Sequence, residues 1–452
     1  MATAGEQRGQ WSSKTGFILA AAGSAIGLGN IWRFPYVVGQ NGGAAFVLLY
    51  ILFVAIIGLP YMFAELALGR HSHKNPVGAV DAIKPRSPWR LVGMLGVLTG
   101  VGILSFYGVI AGWTFGYIFK MATGNYGGFG QFISNPGLVL GLFALFMVFT
   151  TLIVHGGVQH GIEKWAKILM PILFVLLIGL IVYANTLEGA SDGLAFYLKP
   201  DFSKIDGRVA LAALGQAFFS LSLGMGLMIT YGSYVSKKDD MITSGASIAL
   251  FDTLIAIFAG LIIFPALFAM GREPDAGPTL VFVVLPELFA QMPGGLLVGT
   301  LFFILLSVAA LTSTISLLEV ETAYMVDEYG SNRKKVVWGA ALLTFLVGVP
   351  SALSQGATDF WNNFGVLPAR LTGDPDFLSH MSFIFGDFSL AFGALLMSIF
   401  VGWVWGAHKA ADEIEEGSSI FARSRGLWIF MIRFFIPAVI FLILLNLFGA
   451  FS

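Results

Sequence analysis

Two stretches of this sequence place small residues, hydroxyls and an amide where a chain of this kind is otherwise strongly apolar. They are GSAIGLGNIWRFP, Gly23 to Pro35, and GQAFFSLSLGMG, Gly215 to Gly226. A third stretch, LTSTIS at 311 to 316, crowds hydroxyls onto an apolar run, and Asp252 is a lone carboxylate inside another. The chemistry these residues offer is coordination, not bond making. Unwound backbone supplies carbonyl oxygens, half-helix N-termini present a positive dipole end to an anion, and half-helix C-termini suit a cation. A carboxylate in the middle of a span costs several kcal/mol unless it is paired, which makes Asp252 a functional candidate. The LTSTIS hydroxyls have an ordinary alternative, bonding back to the preceding turn. There is no Cys, and HExxH and GxSxG motifs are absent, which argues against a membrane enzyme.

The elements that must carry these residues follow from composition. The chain has 452 residues, 57% hydrophobic and 11% charged, with mean hydropathy +0.82. A soluble domain carries roughly a quarter charged residues, so this is a polytopic membrane protein. A formal net charge of -1 argues against a nucleic-acid partner. At about 20 apolar residues for roughly 30 Å of hydrocarbon, the apolar runs predict eleven spans. They lie at about 15 to 40, 45 to 69, 91 to 121, 138 to 155, 168 to 185, 210 to 235, 244 to 270, 294 to 324, 336 to 354, 381 to 406 and 427 to 449. No removable signal peptide is expected. Of the 25 Lys and Arg, six fall in loops on one side: Lys120, Lys199, Lys204, Arg208, Arg272 and Arg370. Arg33 and Arg433 lie within or at the end of spans, and the other seventeen fall on the opposite side. The positive-inside rule then places the N-terminus in the cytoplasm and the C-terminus outside the plasma membrane. Arg433 is expected to snorkel at the cytoplasmic end of the last span.

Spans 1 and 6 are the poor helices, and they are corresponding members of two five-helix halves. Backbone unwinds at membrane depth only where it lines a cavity or is buried in protein. Paired interruptions at matching positions mark a binding site for an anionic group together with Na⁺.

The run GSAIGLGNIWRFPYVVGQNGG from Gly23 to Gly43, with GQAFFSLSLGMG and TYGSYV further on, resembles the signatures of the neurotransmitter:sodium symporter family. The similarity extends from Arg8 to span 11, and eleven spans resemble its short bacterial subgroup. The resemblance implies an all-α integral membrane protein of 11 transmembrane helices, a LeuT-type 5+5 inverted repeat with discontinuous helices 1 and 6. The expected organisation is a cytoplasmic N-terminal gate segment at 1–14, a first repeat at 15–185, a second at 186–406, and a cytoplasmic loop with helix 11 at 407–452.

Carried over by motif, one Na⁺ is expected among the Ala25 carbonyl, the Asn30 amide oxygen, Ser220, Asp252 and the substrate carboxylate. A second is expected among Gly23, Ile26, Ala309, Thr312 and Ser313. The substrate pocket comprises Ser24, Ala25, Leu28, Gly29, Ile103, Tyr107, Phe218, Phe219, Ser220, Ser222, Met225, Ser313, Ser316 and Leu317. Tyr107 would donate to the substrate carboxylate and Phe219 would form a lid. Gly27 stands where monoamine carriers place an Asp, which favours an amino acid whose own carboxylate completes the ion shell. Met225 and Leu317 form a soft apolar wall. The expected function is sodium-coupled symport of hydrophobic or aromatic L-amino acids by alternating access; the alternative is a different small amino acid or zwitterion. Ala256 stands where some chloride-independent relatives carry Glu, so Asp252 is expected to supply the negative charge in place of chloride. A channel would need a repeated filter sequence, which is missing.

The resemblance also implies gates. Arg8 and Asp327 match the inner ion pair, with Trp11, Ser233 and Tyr234 around it. Arg33 matches the outer gate, whose carboxylate partner departs from the pattern. Counting back from GAHKA reaches Ser382, and Asp387, followed by Phe388, is the expected partner instead. Gly161 and Pro171 match a spacing that lets the inner end of span 5 unwind. Glu65, Glu319 and Glu321 receive no transport role.

Overall fold

A computed structural model describes residues 9–272, 280–418 and 420–450, and within them the chain is helical with no strand. Helix starts follow local capping chemistry. Ser13 accepts Gly16 N–H at 3.0 Å, Asn135 precedes Pro136 and accepts Leu138 N–H at 3.1 Å, and Asp206 accepts Val209 N–H at 2.8 Å. Among the described residues nine helices are long and apolar enough to cross a membrane, or ten if the bent pair Lys14–Ala25 and Gly29–Gln40 is one span. We label that pair α1 and α2. The others in the first half are α3 (Ala44–Ser72), α4 (Arg90–Ala122), α5 (Pro136–His155) and α6 (Val158–Asn185). The stretch expected as span 6 is two shorter pieces, α7 (Gly207–Ser220) and α8 (Leu227–Gly232). The rest are α9 (Met241–Ala269), α10 (Gly295–Tyr329), α11 (Arg333–Leu353), α12 (Phe377–Glu415) and α13 (Arg425–Leu447).

Three boundaries move outward from the apolar runs by five residues or more, each because charged residues are helical. α6 begins ten residues before 168, since Glu163 is buried and bonded and does not end the helix. α10 runs on to Tyr329 with Glu319 and Glu321 buried. α12 continues past Gly406 to Glu415 with Ala407, Ala410, Ala411 and Ile414 buried, a helical stripe under a charged face.

α1 packs against α9 and α10, α10 packs along α4, and close approach is bought with glycine. A methyl group on Gly112 of α4 would stand 2.9 Å from the backbone N of Phe143 on α5. The outer faces of α6, α10 and α11 are apolar and exposed, as at Val175, Leu297 and Leu342. Lipid is the solvent these surfaces suit.

Candidate substrate and sodium site

The site starts from a helix that stops. Ile26 N–H makes the last bond of α1, to Ala22 O at 2.8 Å, and the chain then turns by 50° into α2. Gly27 N–H goes to Asn30 Oδ1 at 3.0 Å and Leu28 N–H to the Tyr107 hydroxyl oxygen at 2.9 Å. A continuous helix would have sent those two N–H groups to the carbonyls of Gly23 and Ser24. The Ser24 carbonyl instead accepts from Ser313 Oγ at 3.2 Å. The second interruption, Leu221 to Gly226, holds Ser222, Gly224 and Gly226 at φ 53°, 85° and 74°. Gly224 N–H is caught by Glu65 Oε1 at 3.1 Å. Glu65 thus has a positioning contact that sequence reasoning left without a role, because the two residues lie on different spans.

One oxygen cluster joins α1 to α10. Ser313 Oγ is 3.1 Å from Ile26 O and 3.4 Å from Ala309 O, and Thr312 Oγ1 is 3.4 Å from Ile26 O and 2.9 Å from Ala309 O. Oxygens about 2.4 Å from one hard cation, at angles near a right angle, stand roughly 3.4 Å apart. The donor set therefore fits a sodium-sized ion with little rearrangement. Gly23 belongs to the same place: a methyl on it would be 3.4 Å from Thr312 Cβ.

The second cluster is fully buried and surrounds Asp252. Its Oδ1 accepts from Asn30 Nδ2 at 2.7 Å, and its Oδ2 from Ser220 Oγ at 2.7 Å and Tyr50 OH at 3.3 Å. The Asn30 amide has a definite orientation here. Its amide nitrogen, not its oxygen, faces Ser220 and Asp252, while the oxygen accepts Gly27 N–H. The reason is that a carboxylate has only acceptors and draws donors toward itself. Carboxylate, hydroxyl and amide are all hard-cation donors, and half a turn of the Asn30 amide exchanges its N for its O. Tyr50, on α3, is a member of this cluster that no sequence signal pointed to.

Beside the α1–α10 cluster, and sharing Ser313 with it, lies a cavity of about 40 Å³. Its lining includes Ser24, Ala25, Gly29, Ile103, Tyr107, Phe219, Ser222, Met225, Ser313 and Leu317, ten of the fourteen expected residues, together with Gly27 and Leu227. The other four are set back. Leu28 contributes its N–H to Tyr107. Ser316 Oγ accepts from Ser24 Oγ at 2.7 Å behind the wall, and Ser220 sits in the Asp252 cluster. Phe218 points the other way, onto Tyr61, because consecutive helical residues face about 100° apart. Tyr107 accepts a bond through its oxygen from Leu28.

The cavity is covered on both sides. Above it the Arg33 guanidinium carbon lies 4.4 Å from the Phe219 ring centre, and Arg33 reaches Asp387 Oδ1 at 3.3 Å. Ser382, reached by a gap-free count, opens a π-helical stretch, Ser382–Ser389, whose wider turns shift the register toward Asp387. Beyond this pair lies a larger cavity of about 340 Å³. On the opposite side Trp11 Nε1 donates to Tyr231 O at 3.1 Å, with edge-on contacts to Tyr231 and Tyr234. Tyr234 OH donates to Glu319 at 2.6 Å, and Glu319 also takes Arg333. Ser233 closes the turn below α8 through its hydroxyl to Thr230 O. Asp327 accepts Asn75 N–H at 2.9 Å; its expected partner, Arg8, lies outside the described residues. Gly161 sits in a π-helical turn, Val158–Glu163, ahead of Pro171 inside α6.

These features define a membrane carrier: two broken helices, oxygen clusters sized for a hard cation, and a small cavity covered from both sides. Comparison with known proteins agrees. The family model described as the sodium:neurotransmitter symporter family matches residues 8–129 and 124–451. An uncharacterized sodium-dependent transporter of Bacillus subtilis is 41% identical, over 98% of each chain. The human sodium- and chloride-dependent GABA transporter 2 is 25% identical, over 91% of this chain and 75% of its own. The crystal structure of MhsT in complex with L-phenylalanine superimposes with a TM-score of 0.87 at 46% identity, covering 97% of this chain and all of that one. The chain belongs to the sodium:neurotransmitter symporter family and has the LeuT fold. It is a sodium-dependent transporter and not an enzyme.

Proposed function

We propose that this protein carries hydrophobic or aromatic L-amino acids inward with Na⁺, by alternating access, through eleven spans arranged as an inverted repeat of five and five. The N-terminus is cytoplasmic and the C-terminus lies outside. One Na⁺ sits among Ala25, Asn30, Ser220 and Asp252 and shares the substrate carboxylate; the other sits among Gly23, Ile26, Ala309, Thr312 and Ser313. The observation that carries this reading is the Asp252 cluster placed beside the broken backbone at Gly27 and Leu28. A buried carboxylate there supplies a negative charge without chloride, so transport is chloride-independent. Ile103, Met225, Leu227 and Leu317 offer the side chain an apolar surround, and MhsT, a near structural neighbour, was crystallised with L-phenylalanine.

The test is binding of the twenty amino acids to purified protein in Na⁺ and in choline. Saturable binding of leucine, phenylalanine or tryptophan that vanishes in choline supports the proposal; equal affinity in choline overturns it. A second reading, a carrier of a small zwitterion, draws on the cavity of about 40 Å³. It wins if glycine or alanine displaces every larger amino acid.

A further inference from the structure

Arg433 is a half-buried cation on α13, and among the described residues its guanidinium has one protein acceptor. Its Nε donates to Gly402 O at 3.0 Å, and its guanidinium carbon lies 5.4 Å from the Trp403 ring centre. Both residues lie in π-helical turns, Phe400–Gly406 and Met431–Phe435, which face each other where α12 meets α13. The approach is close because Gly402 has no side chain: a methyl there would be 3.1 Å from Ile432 O. Trp403 Nε1 donates to Arg433 O at 3.1 Å, which fixes the ring against the bulge.

Arg433 has no carboxylate within ion-pair distance among the described residues; Asp412 and Glu415, on the same pair of helices, are taken by Arg425 at 2.5 and 2.6 Å. The surface around it is apolar and aromatic. Trp403, Phe430 and Phe434 are exposed, and Leu427, nearer the start of α13, is 63% exposed. Apolar residues therefore continue beyond Arg433 toward the basic end of the bundle. The level is set by Trp405, whose ring meets His71 near the end of α3, less than one turn further along α12. Tryptophans are enriched where spans meet the headgroups, and Trp403 and Trp405 lie together on this seam. A guanidinium has five N–H donors, and those not used by Gly402 need acceptors in a medium that supplies little water.

We propose that the α12–α13 seam binds the phosphodiester headgroup of an anionic phospholipid. The N–H groups of Arg433 grip the phosphate oxygens as a fork, and Trp403 and Phe434 pack beside the glycerol and upper acyl chain. The occupant is a membrane lipid and not free phosphate, because the charge is ringed by exposed aromatic rings that only an amphiphile would cover.

The experiment is native mass spectrometry of the delipidated full-length protein in detergent, titrated with phosphatidylglycerol and separately with phosphatidylcholine. Wild type should show one phosphatidylglycerol bound at least about tenfold more tightly than in Arg433→Gln, and Arg433→Lys should fall between them. Amino acid binding should be unchanged in both variants, which reports that they fold. Equal phosphatidylglycerol affinity in wild type and Arg433→Gln overturns the proposal. Should Arg433→Gln not fold, Arg433→Lys with unchanged affinity for phosphatidylglycerol overturns it as well. In wild type, displacement of the lipid by an equal concentration of inorganic phosphate, or no preference over phosphatidylcholine, also overturns it.

Discussion

Glu163, buried at the start of α6, accepts the backbone N–H of Ser12 at 2.7 Å. The same carboxylate takes the hydroxyls of Ser12 and Ser13 and Lys167 Nζ at 2.5, 2.9 and 2.7 Å. The N-terminal segment that closes the cavity with Trp11 is thereby tied to the π-helical turn containing Gly161. Losing a hydrogen bond to a charged group costs roughly 1.5–3 kcal/mol, so Glu163→Gln should loosen both together. The chain has no Cys, which makes single-cysteine labelling clean. Labelling at Ala20→Cys, beside Ile162 and Tyr231, should rise about tenfold in Glu163→Gln. An unchanged rate means that the tether does not hold the inner side closed.

Gly161 packs on its own hinge, with the Ile153 carbonyl directly where a side chain would begin and Gly156 backbone 3.1 Å away. Gly161→Ala should therefore stiffen or displace the turn. Release of Na⁺ on the inner side should slow several-fold, with substrate binding from the outside retained. Stopped-flow measurement of Na⁺ release reads this directly, and equal rates would remove the hinge.

Asp252→Asn keeps the shape of the cluster, since the amide oxygen still accepts from Ser220 or Asn30, but removes its charge. Two opposite charges about 4 Å apart are worth roughly 4 kcal/mol at a protein-like dielectric. Uptake by this variant in gluconate should fall more than about tenfold and recover in part with chloride, whereas wild type works equally in both. Chloride dependence in wild type would remove Asp252 as the resident charge.

Thr312 and Ser313 each contribute one hydroxyl to the α1–α10 oxygen cluster. Replacing Thr312, which does not line the cavity, by a residue without that oxygen, Thr312→Val, should raise the Na⁺ concentration for half-maximal binding about tenfold. Affinity for the amino acid at saturating Na⁺ should move much less. Scintillation proximity binding across a Na⁺ titration separates the two.

Arg33 and Asp387 are 29% and 32% exposed, so their ion pair alone is worth under about 1 kcal/mol. The stacking of Arg33 on Phe219 adds a separate attraction. Arg33→Asp and Asp387→Arg should each cut uptake, and the double reversal should restore part of it. No rescue in the double variant would mean that the contact is a consequence of closure and not its cause.

Composition and hydropathy alone determined a polytopic helical membrane protein, because hydrocarbon forces every backbone polar group into helical bonds. The breaks near Gly27 and Leu221 were also legible: glycine and small polar residues at that depth are poor helix material and need a polar cavity to line. The tertiary structure alone decided which groups meet. Tyr50 joins Asp252 across 202 positions, Glu65 reaches Gly224 across 159, and Glu163 holds Ser12 across 151. The Arg33–Asp387 pair, by contrast, was legible from the Asp-Phe step at 387 and 388, and the structure adds its geometry. Local sequence encodes the cost of a conformation, whereas a contact between spans depends on how the helices settle against one another.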